Sequence, residues 1–344
     1  MTIREGAPLA PLTTFRIGGP ADVYLEAENE ADVRAACEES ARRALPLAIL
    51  GGGSNVLIPD DGVRAVVVRF LPAGITFAAR GSGMLATAEA GASWDALVAH
   101  AVERGLWGVE NLSGIPGTVG GAVVQNVGAY GAVLSDALVS AEAFDTRAGT
   151  LRTFAKEECA FGYRTSLFKR EPGRYLLMRA TFALAREPRP NLSYRDLAER
   201  FSDAPDPALA QVRAAVLAIR AGKFPDLSRY GTAGSFFLNP VLPERGAQAL
   251  AARFPGMPLF PMPEGGTKVP IAWLLDHRHG VMDVRDARSG KAFVWPAQPL
   301  VLATEAGATF ADVDALANEI ASRVHDATGI ALTREVIAFD AMRA

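Results

Sequence analysis

Apolar residues recur along this chain in two rhythms, and each predicts a kind of element. Residues 28–44, ENEADVRAACEESARRA, carry the helical spacing, and the apolar LPLAIL behind them reads as a buried strand. VRAVVVRF, residues 63–70, reads as another strand. Ser93 is placed to cap a helix that runs through Leu97 and Val102 to a stop at Gly105. Further on, ALVSAEAFDT, GTLRTF and YLLMRATFAL are strand-like runs separated by turn residues, the pattern of an α+β sheet rather than regular βαβ winding. Beyond Pro188 and Pro190, Leu209, Val212, Val216 and Ile219 recur at helical spacing up to Gly222. In the last third, strands are expected around Phe293 and Leu300. A helix should start at Thr309, which with Asp312 resembles a capping box, and Val313, Leu316, Ile320 and Val324 form its apolar stripe before Gly329.

Composition narrows the class. The 344 residues exceed one ordinary core and suggest two or three domains. Hydrophobic residues at 49% and charged residues at 21% predict a chain folded throughout. A formal charge of −3 without a basic stripe argues against a nucleic-acid partner. Neither a signal-peptide core nor an apolar run near the ~20 residues of a membrane span is visible, so a cytoplasmic protein with no membrane partner is expected. Cys37 and Cys159 are too few for a disulfide framework or a zinc cluster; two buried thiols and no metal site are expected. Five lysines stand against thirty arginines, which draws attention to Lys169, Lys223 and Lys268 as places where a compact ammonium differs from a guanidinium.

The candidate chemistry lies in two glycine-rich stretches. GGGSNVL, residues 51–57, has neither the G-x-G-x-x-G spacing of a Rossmann turn nor the Gly-Lys-Ser/Thr of a nucleotide-triphosphate loop. Its free backbone N–H groups can still form a nest for an anion, with Ser54 and Asn55 adding donors. SGIPGTVGGAVVQNVGAYG, residues 113–131, places six glycines in nineteen positions and no charged side chain. Ser113, Thr118 and Asn126 offer neutral hydrogen bonds there. Each stretch alone is better explained by tight turns between strands than by a cofactor site. Together they favour a dinucleotide clamped at its pyrophosphate.

TTFRIGG, LGGGSNVL, SGIPGTVGGAVVQNVGAYG, FGYRTSLFK, GTAGSFFLNP, WLLD and TREVIAF follow one another in order. Jointly, from about Leu12 to Phe339, they resemble the UDP-N-acetylenolpyruvoylglucosamine reductase family. The resemblance implies an α+β chain: a two-lobed FAD-binding region of the vanillyl-alcohol-oxidase/PCMH type plus a C-terminal α+β substrate domain. Its lobes would span 1–73 and 74–224 and its substrate domain 225–330, with a strand in 331–344 returning to the first lobe or to the substrate domain. It implies FAD as bound cofactor, NADPH as co-substrate and UDP-N-acetylglucosamine enolpyruvate as substrate, and a monomer is expected. Contacts to FAD would come from Leu50, Gly51, Gly52, Gly53, Ser54, Asn55, Val56, Ile115, Gly117, Thr118, Gly121, Asn126, Gly128 and Ala129.

The same resemblance makes Ser235 the proton donor, Arg164 a cation beside the substrate carboxylate, and Glu335 the third catalytic group. Tyr130, Tyr163, Tyr194, Lys223, Asn239 and Lys268 would hold the UDP-sugar, with Tyr194 on the closing loop of the family's longer form. Read without it, Ser235 is a serine in a turn, and AGSFF is not the G-x-S-x-G elbow of a hydrolase. Arg164 reads as a strand arginine stacking on Phe161, Tyr163 or Phe168. Alternation along LTREVIAF puts Glu335 on a strand face with Ile337 and Phe339, where a carboxyl tends toward a raised pKa; an edge-strand glutamate paired locally with arginine is the equal alternative. His100 and His325 fall on helices. After WLLD the family pattern implies a basic residue, which the His277-Arg278-His279 segment leaves unassigned among its three members. A flavin oxidase of the same fold and a non-catalytic nucleotide-sugar binding protein are the competing readings.

Overall fold

The computed structural model describes residues 2–276 and 282–339. Its N-terminal part is a four-stranded sheet in the order Thr2–Pro8, Pro20–Ala27, Val63–Phe70, Leu47–Ile49. The first two strands are antiparallel, whereas Val63–Phe70 runs parallel to both of its neighbours. Parallel strands need a crossover, and the helix Glu30–Arg43 supplies one. Asn29 caps it by accepting from the Asp32 N–H, and Ala44 ends it in the left-handed conformation. Val66, Val67 and Val68 are all fully buried because this central strand is covered on both faces. Val33 and Ala36 of the helix meet Leu25 and Val68 on one side, while Tyr24, Val67 and Leu50 pack on the other.

Residues 75–184 form a five-stranded sheet in the order Thr150–Ala155, Leu138–Asp145, Tyr175–Leu184, Gly83–Glu89, Ile75–Arg80. Every neighbouring pair is antiparallel. The helices Trp94–Glu103 and Val119–Gln125 share its core, in which Trp94 packs edge-on to Phe182 and donates its indole N–H to Leu112 O. Ser93 caps the first helix, as its position suggested. The helix Leu209–Lys223 runs through Gly222 and is pinned to this part by Arg213, which pairs with both Asp95 oxygens at 2.7 and 2.9 Å.

The C-terminal part surrounds the helix Phe310–Thr328, whose Val313, Leu316, Ile320 and Val324 are buried as the stripe predicts. The Thr309–Asp312 capping box forms, and Gly329 at φ 77° ends the helix. Two small sheets flank it, one of Val241–Leu242, Thr267–Lys268 and Phe260–Pro261, the other of Arg288–Ser289, Ala292–Val294 and Leu302–Thr304.

The last described segment departs from the continuous strand expected of LTREVIAF. Only Ile337–Ala338 is a strand, parallel to Val56–Leu57, and Glu335 and Val336 form a bend before it. Ahead of the bend, Thr333 O and Glu335 N–H bond to Leu238 N–H and Phe236 O. The segment therefore ties the C-terminal part to the N-terminal part, in whose core Phe339 is buried, and Glu335 sits at the seam. Cys159 is buried, but Cys37 is only half-buried, contrary to expectation. Burial pushes the Cys159 thiol up to about 12. The His277–His279 segment lies outside the described residues.

Candidate active site

The two glycine stretches meet. Ser54 Oγ donates to Pro116 O at 3.0 Å, and a Cβ on Gly52 would stand 2.7 Å from Gly117 Cα. Gly53, at φ 63°, is equally constrained, since a Cβ there would lie 2.0 Å from Leu12 O. Glycine is thus demanded by backbone approaching backbone. Thr118 caps the short helix Val119–Gln125 by accepting from Gly121 N–H. Among the described residues, the N–H groups of Gly51, Gly52, Gly53, Ser54 and Asn55 donate to no protein acceptor, nor do those of Ile115, Gly117 and Thr118. Eight uncommitted main-chain donors without a lysine or arginine among them suit the diphosphate of a dinucleotide. This donor chemistry fits FAD.

Individual positions differ in what they can offer. Leu50 is 1% exposed, with its side chain in the N-terminal core and its N–H donating to Val68 O, so neither is free for a cofactor. Val56 is committed to the strand that receives Ile337. Asn126, at φ 45°, ends the helix with its amide already used, donating to Gly162 O and accepting from Ser135 N–H. Asn55 reaches the other way, donating its amide to Glu335 O and accepting from Ile337 N–H. Through Asn55 the glycine loop and the C-terminal seam become one structure.

Beyond that seam lies a charged pocket. Arg164 Nε contacts Glu335 Oε1 at 3.0 Å, and another Arg164 nitrogen donates to Gly128 O. Arg164 occupies a tight turn closed by Gly162 and Thr165, with φ 56°. A non-glycine residue in that region carries strain, so the surroundings must hold it there. The predicted stacking is real, with the guanidinium 5.6 Å from the Tyr163 ring centre, though the arginine lies in a turn and not in a strand. Glu335 is corrected as well. The apolar face expected around its carboxyl is replaced by Arg164 and by Gln125, whose Nε2 donates to Oε1 at 3.0 Å. Ser235 precedes Phe236, whose carbonyl accepts from Glu335 N–H. Gly234 beside it has φ 78° and nothing within 4 Å of a notional Cβ, leaving the half-buried Ser235 hydroxyl approachable.

Tyr163 connects this pocket to the C-terminal part. Burial raises its phenol pKa, opposed by the Arg164 charge and by hydrogen bonding from Asn239. Lys268 Nζ stands 5.5 Å over the Tyr163 ring and 5.4 Å over Phe260, and burial followed by the Arg164 charge pulls its pKa down. Asn239 also accepts the N–H of Ile271, so part of its capacity is structural.

A third group gathers near the hairpin of Gly128–Ala129 and Ala132–Val133. Tyr130 meets Tyr194 edge-on at 5.1 Å, and Lys223 bonds the Tyr194 hydroxyl at 3.4 Å. Burial alone would lower the Lys223 pKa, but its bonds to Asp196 and Tyr194 win and raise it. Asp196 and Gln125 escaped the sequence reading. The only local signal for Gln125 is an amide inside the apolar run AVVQNV.

A family model described as an FAD binding domain matches residues 21–155, and one described as the UDP-N-acetylenolpyruvoylglucosamine reductase C-terminal domain matches residues 226–339. The UDP-N-acetylenolpyruvoylglucosamine reductase of Pseudomonas aeruginosa is 41% identical over 338 residues, 97% of this chain and 98% of that protein. Its counterpart from Ralstonia nicotianae is 38% identical over 336 residues, 96% and 97% of the two chains. The crystal structure of UDP-N-acetylenolpyruvylglucosamine reductase (MurB) from Thermus caldophilus is similar at a TM-score of 0.68 and 25% identity, covering 98% of this chain and 99% of that one. The expected α+β fold, with an FAD-binding domain followed by the C-terminal domain of these reductases, is the fold of this protein. The chain belongs to the UDP-N-acetylenolpyruvoylglucosamine reductase family.

Proposed function

We propose that this protein is a flavoprotein oxidoreductase that uses NADPH to reduce UDP-N-acetylenolpyruvoylglucosamine to UDP-N-acetylmuramate, a step of peptidoglycan precursor synthesis. FAD, held at the glycine loops, would supply the hydride chemistry that links NADPH to the enolpyruvyl C3. The uncommitted amides of residues 51–55 and of Ile115, Gly117 and Thr118 would hold its diphosphate without placing a permanent charge against it. Addition at C3 moves negative charge onto C2 and its carboxylate, and this chain must stabilise that charge and then quench it. Arg164 is the cation at hand, held by Glu335 and Gly128 O. The Ser235 hydroxyl donates the proton at C2. Glu335, bonded through its backbone to the residue after Ser235, controls the proton inventory of the pocket.

Tyr130, Tyr163, Tyr194, Lys223, Asn239 and Lys268 hold the UDP-sugar. Lys223 and Lys268 supply positive charge for the nucleotide diphosphate, and Tyr194 closes over it. The lobes 1–73 and 74–224 carry FAD and residues 225–330 carry substrate, with 331–339 bridging them. A cytoplasmic monomer completes the reading. No described helix is long and apolar enough to cross a membrane.

One observation carries the assignment: Asn55 of the glycine loop, Arg164 of the central part and Phe236 of the C-terminal part all bond to Glu335. Ser235→Ala tests it by stopped-flow separation of the half-reactions. Reduction of the bound flavin by NADPH should persist, while turnover of the enolpyruvyl substrate should fall on the order of 10²–10⁴-fold. Equal loss in both halves would remove Ser235 from its role. A flavin oxidase would not bleach with NADPH under anaerobic conditions, so the same experiment separates the competing enzyme.

A further inference from the structure

We propose that Lys169 and Gln125 are positioning residues that fix the Glu335 carboxylate, leaving Oε2 as its working oxygen. The inference deepens the proposed function and rests on Glu335 acting in the second half-reaction. Lys169 Nζ donates to Gln125 Oε1 at 2.7 Å and to Arg164 O at 3.0 Å. Gln125, only 8% exposed, passes the polarity on, donating its Nε2 to Glu335 Oε1 at 3.0 Å. A glutamine amide can present either end to a neighbour, whereas an ammonium can only donate. Lys169 therefore dictates the amide's direction, with oxygen toward lysine and N–H toward glutamate. Oε1 then faces two donors, Gln125 Nε2 and Arg164 Nε. A proton placed on Oε1 would confront both N–H groups, so any proton that Glu335 carries belongs on Oε2.

The same ammonium holds the backbone of Arg164, at φ 56°, so both charged members of the pocket depend on it. The frame around Lys169 is rigid. Ser166, fully buried, caps the turn Leu167–Arg170 through Lys169 N–H and donates its hydroxyl to Val124 O, the neighbour of Gln125. Burial lowers the Lys169 pKa and the Glu335 charge resists this. Keeping an ammonium there costs free energy that a neutral residue would not, which suits a positional role.

The experiment uses FAD-loaded enzyme and measures both half-reactions for Lys169→Met, Gln125→Met, Glu335→Gln and the Gln125→Met/Glu335→Gln double variant. Misorienting the carboxylate should slow reduction of the enolpyruvyl substrate on the order of 10²-fold, with KM for that substrate unchanged in Gln125→Met, which keeps the Lys169 bond to the Arg164 backbone. Lys169→Arg should recover part of the loss. The double variant should be no slower than Glu335→Gln alone, since Gln125 acts through Glu335 and then has nothing left to position. Additive losses, or a loss confined to KM, would overturn the proposal, and so would an unimpaired Lys169→Met. Gln125→Met gives the same reading if Lys169→Met does not retain flavin. If Glu335→Gln itself leaves the second half-reaction intact, the underlying assignment of Glu335 fails instead.

Discussion

The glycine loops and the charged pocket adjoin one another, yet they are built on opposite principles. The loops recruit neutral main-chain donors, and their geometry follows from how closely two backbones approach, as at Gly52 and Gly117. The pocket recruits charged side chains, each held by a partner far away in sequence, as Glu335 is by Gln125 and Arg164. A backbone nest is pre-organised by local conformation and tolerates no added carbon. A side-chain network tolerates a change of atoms but not of orientation. Substitutions should therefore fail differently on the two sides.

The largest effect is expected in the pocket. Glu335→Gln should leave flavin content and its reduction by NADPH intact while slowing the second half-reaction roughly 10²–10⁴-fold, read by single-turnover absorbance. Loss of flavin in that variant would merge the two regions into one structural unit. Next comes Gly52→Ala, whose Cβ must push Gly117 away. It should reduce stability by about 1–3 kcal/mol and yield protein with little flavin, measured by thermal melts and by flavin absorbance per protein.

Smaller effects sharpen the contrast. Asp95 accepts from Gly114 N–H at 2.6 Å and pairs with Arg213, anchoring the start of the second glycine stretch. Burial alone would raise its pKa, but Arg213 and the Gly114 N–H prevail and hold it below the ordinary 3.8. The stability it contributes is thus present above that value and is lost as pH falls through the lower folded value. Its side chain is 35% exposed, so Asp95→Asn should cost only ~1 kcal/mol at neutral pH. In chemical denaturation the gap to the parent protein should close as the medium is acidified below the carboxylate range. The smallest change is Gly121→Ala, where the Cβ meets only Thr118 Oγ1 at 3.6 Å. Helix propensity predicts a gain of about 0.5–1 kcal/mol without flavin. A simultaneous fall in flavin affinity would place the cofactor against this residue, and unchanged affinity would move it elsewhere.

Much of the scaffold was legible locally. VRAVVVRF and YLLMRATFAL are strands over the residues read, since β-branched and apolar runs bounded by turns have few other outcomes. Ser93 and Thr309 start their helices because a cap needs only its next three residues. The catalytic candidates were legible only as a resemblance in wording. Nothing near Glu335 in the chain announces Gln125, 210 positions earlier, or Asn55, 280 positions earlier. The alternation expected through LTREVIAF is broken because the segment leaves one sheet partner at Glu335 and finds another at Ile337.

By itself, then, the amino-acid order determined the capped helices and the long apolar strands, because those choices depend on neighbours within a few residues. Tertiary structure alone decided that the two glycine turns touch, that Arg164 holds a left-handed backbone, and that one carboxylate oxygen is occupied while the other is left to work. Those outcomes depend on hydrogen bonds that close only when distant segments are packed together, and local sequence carries no record of such distances.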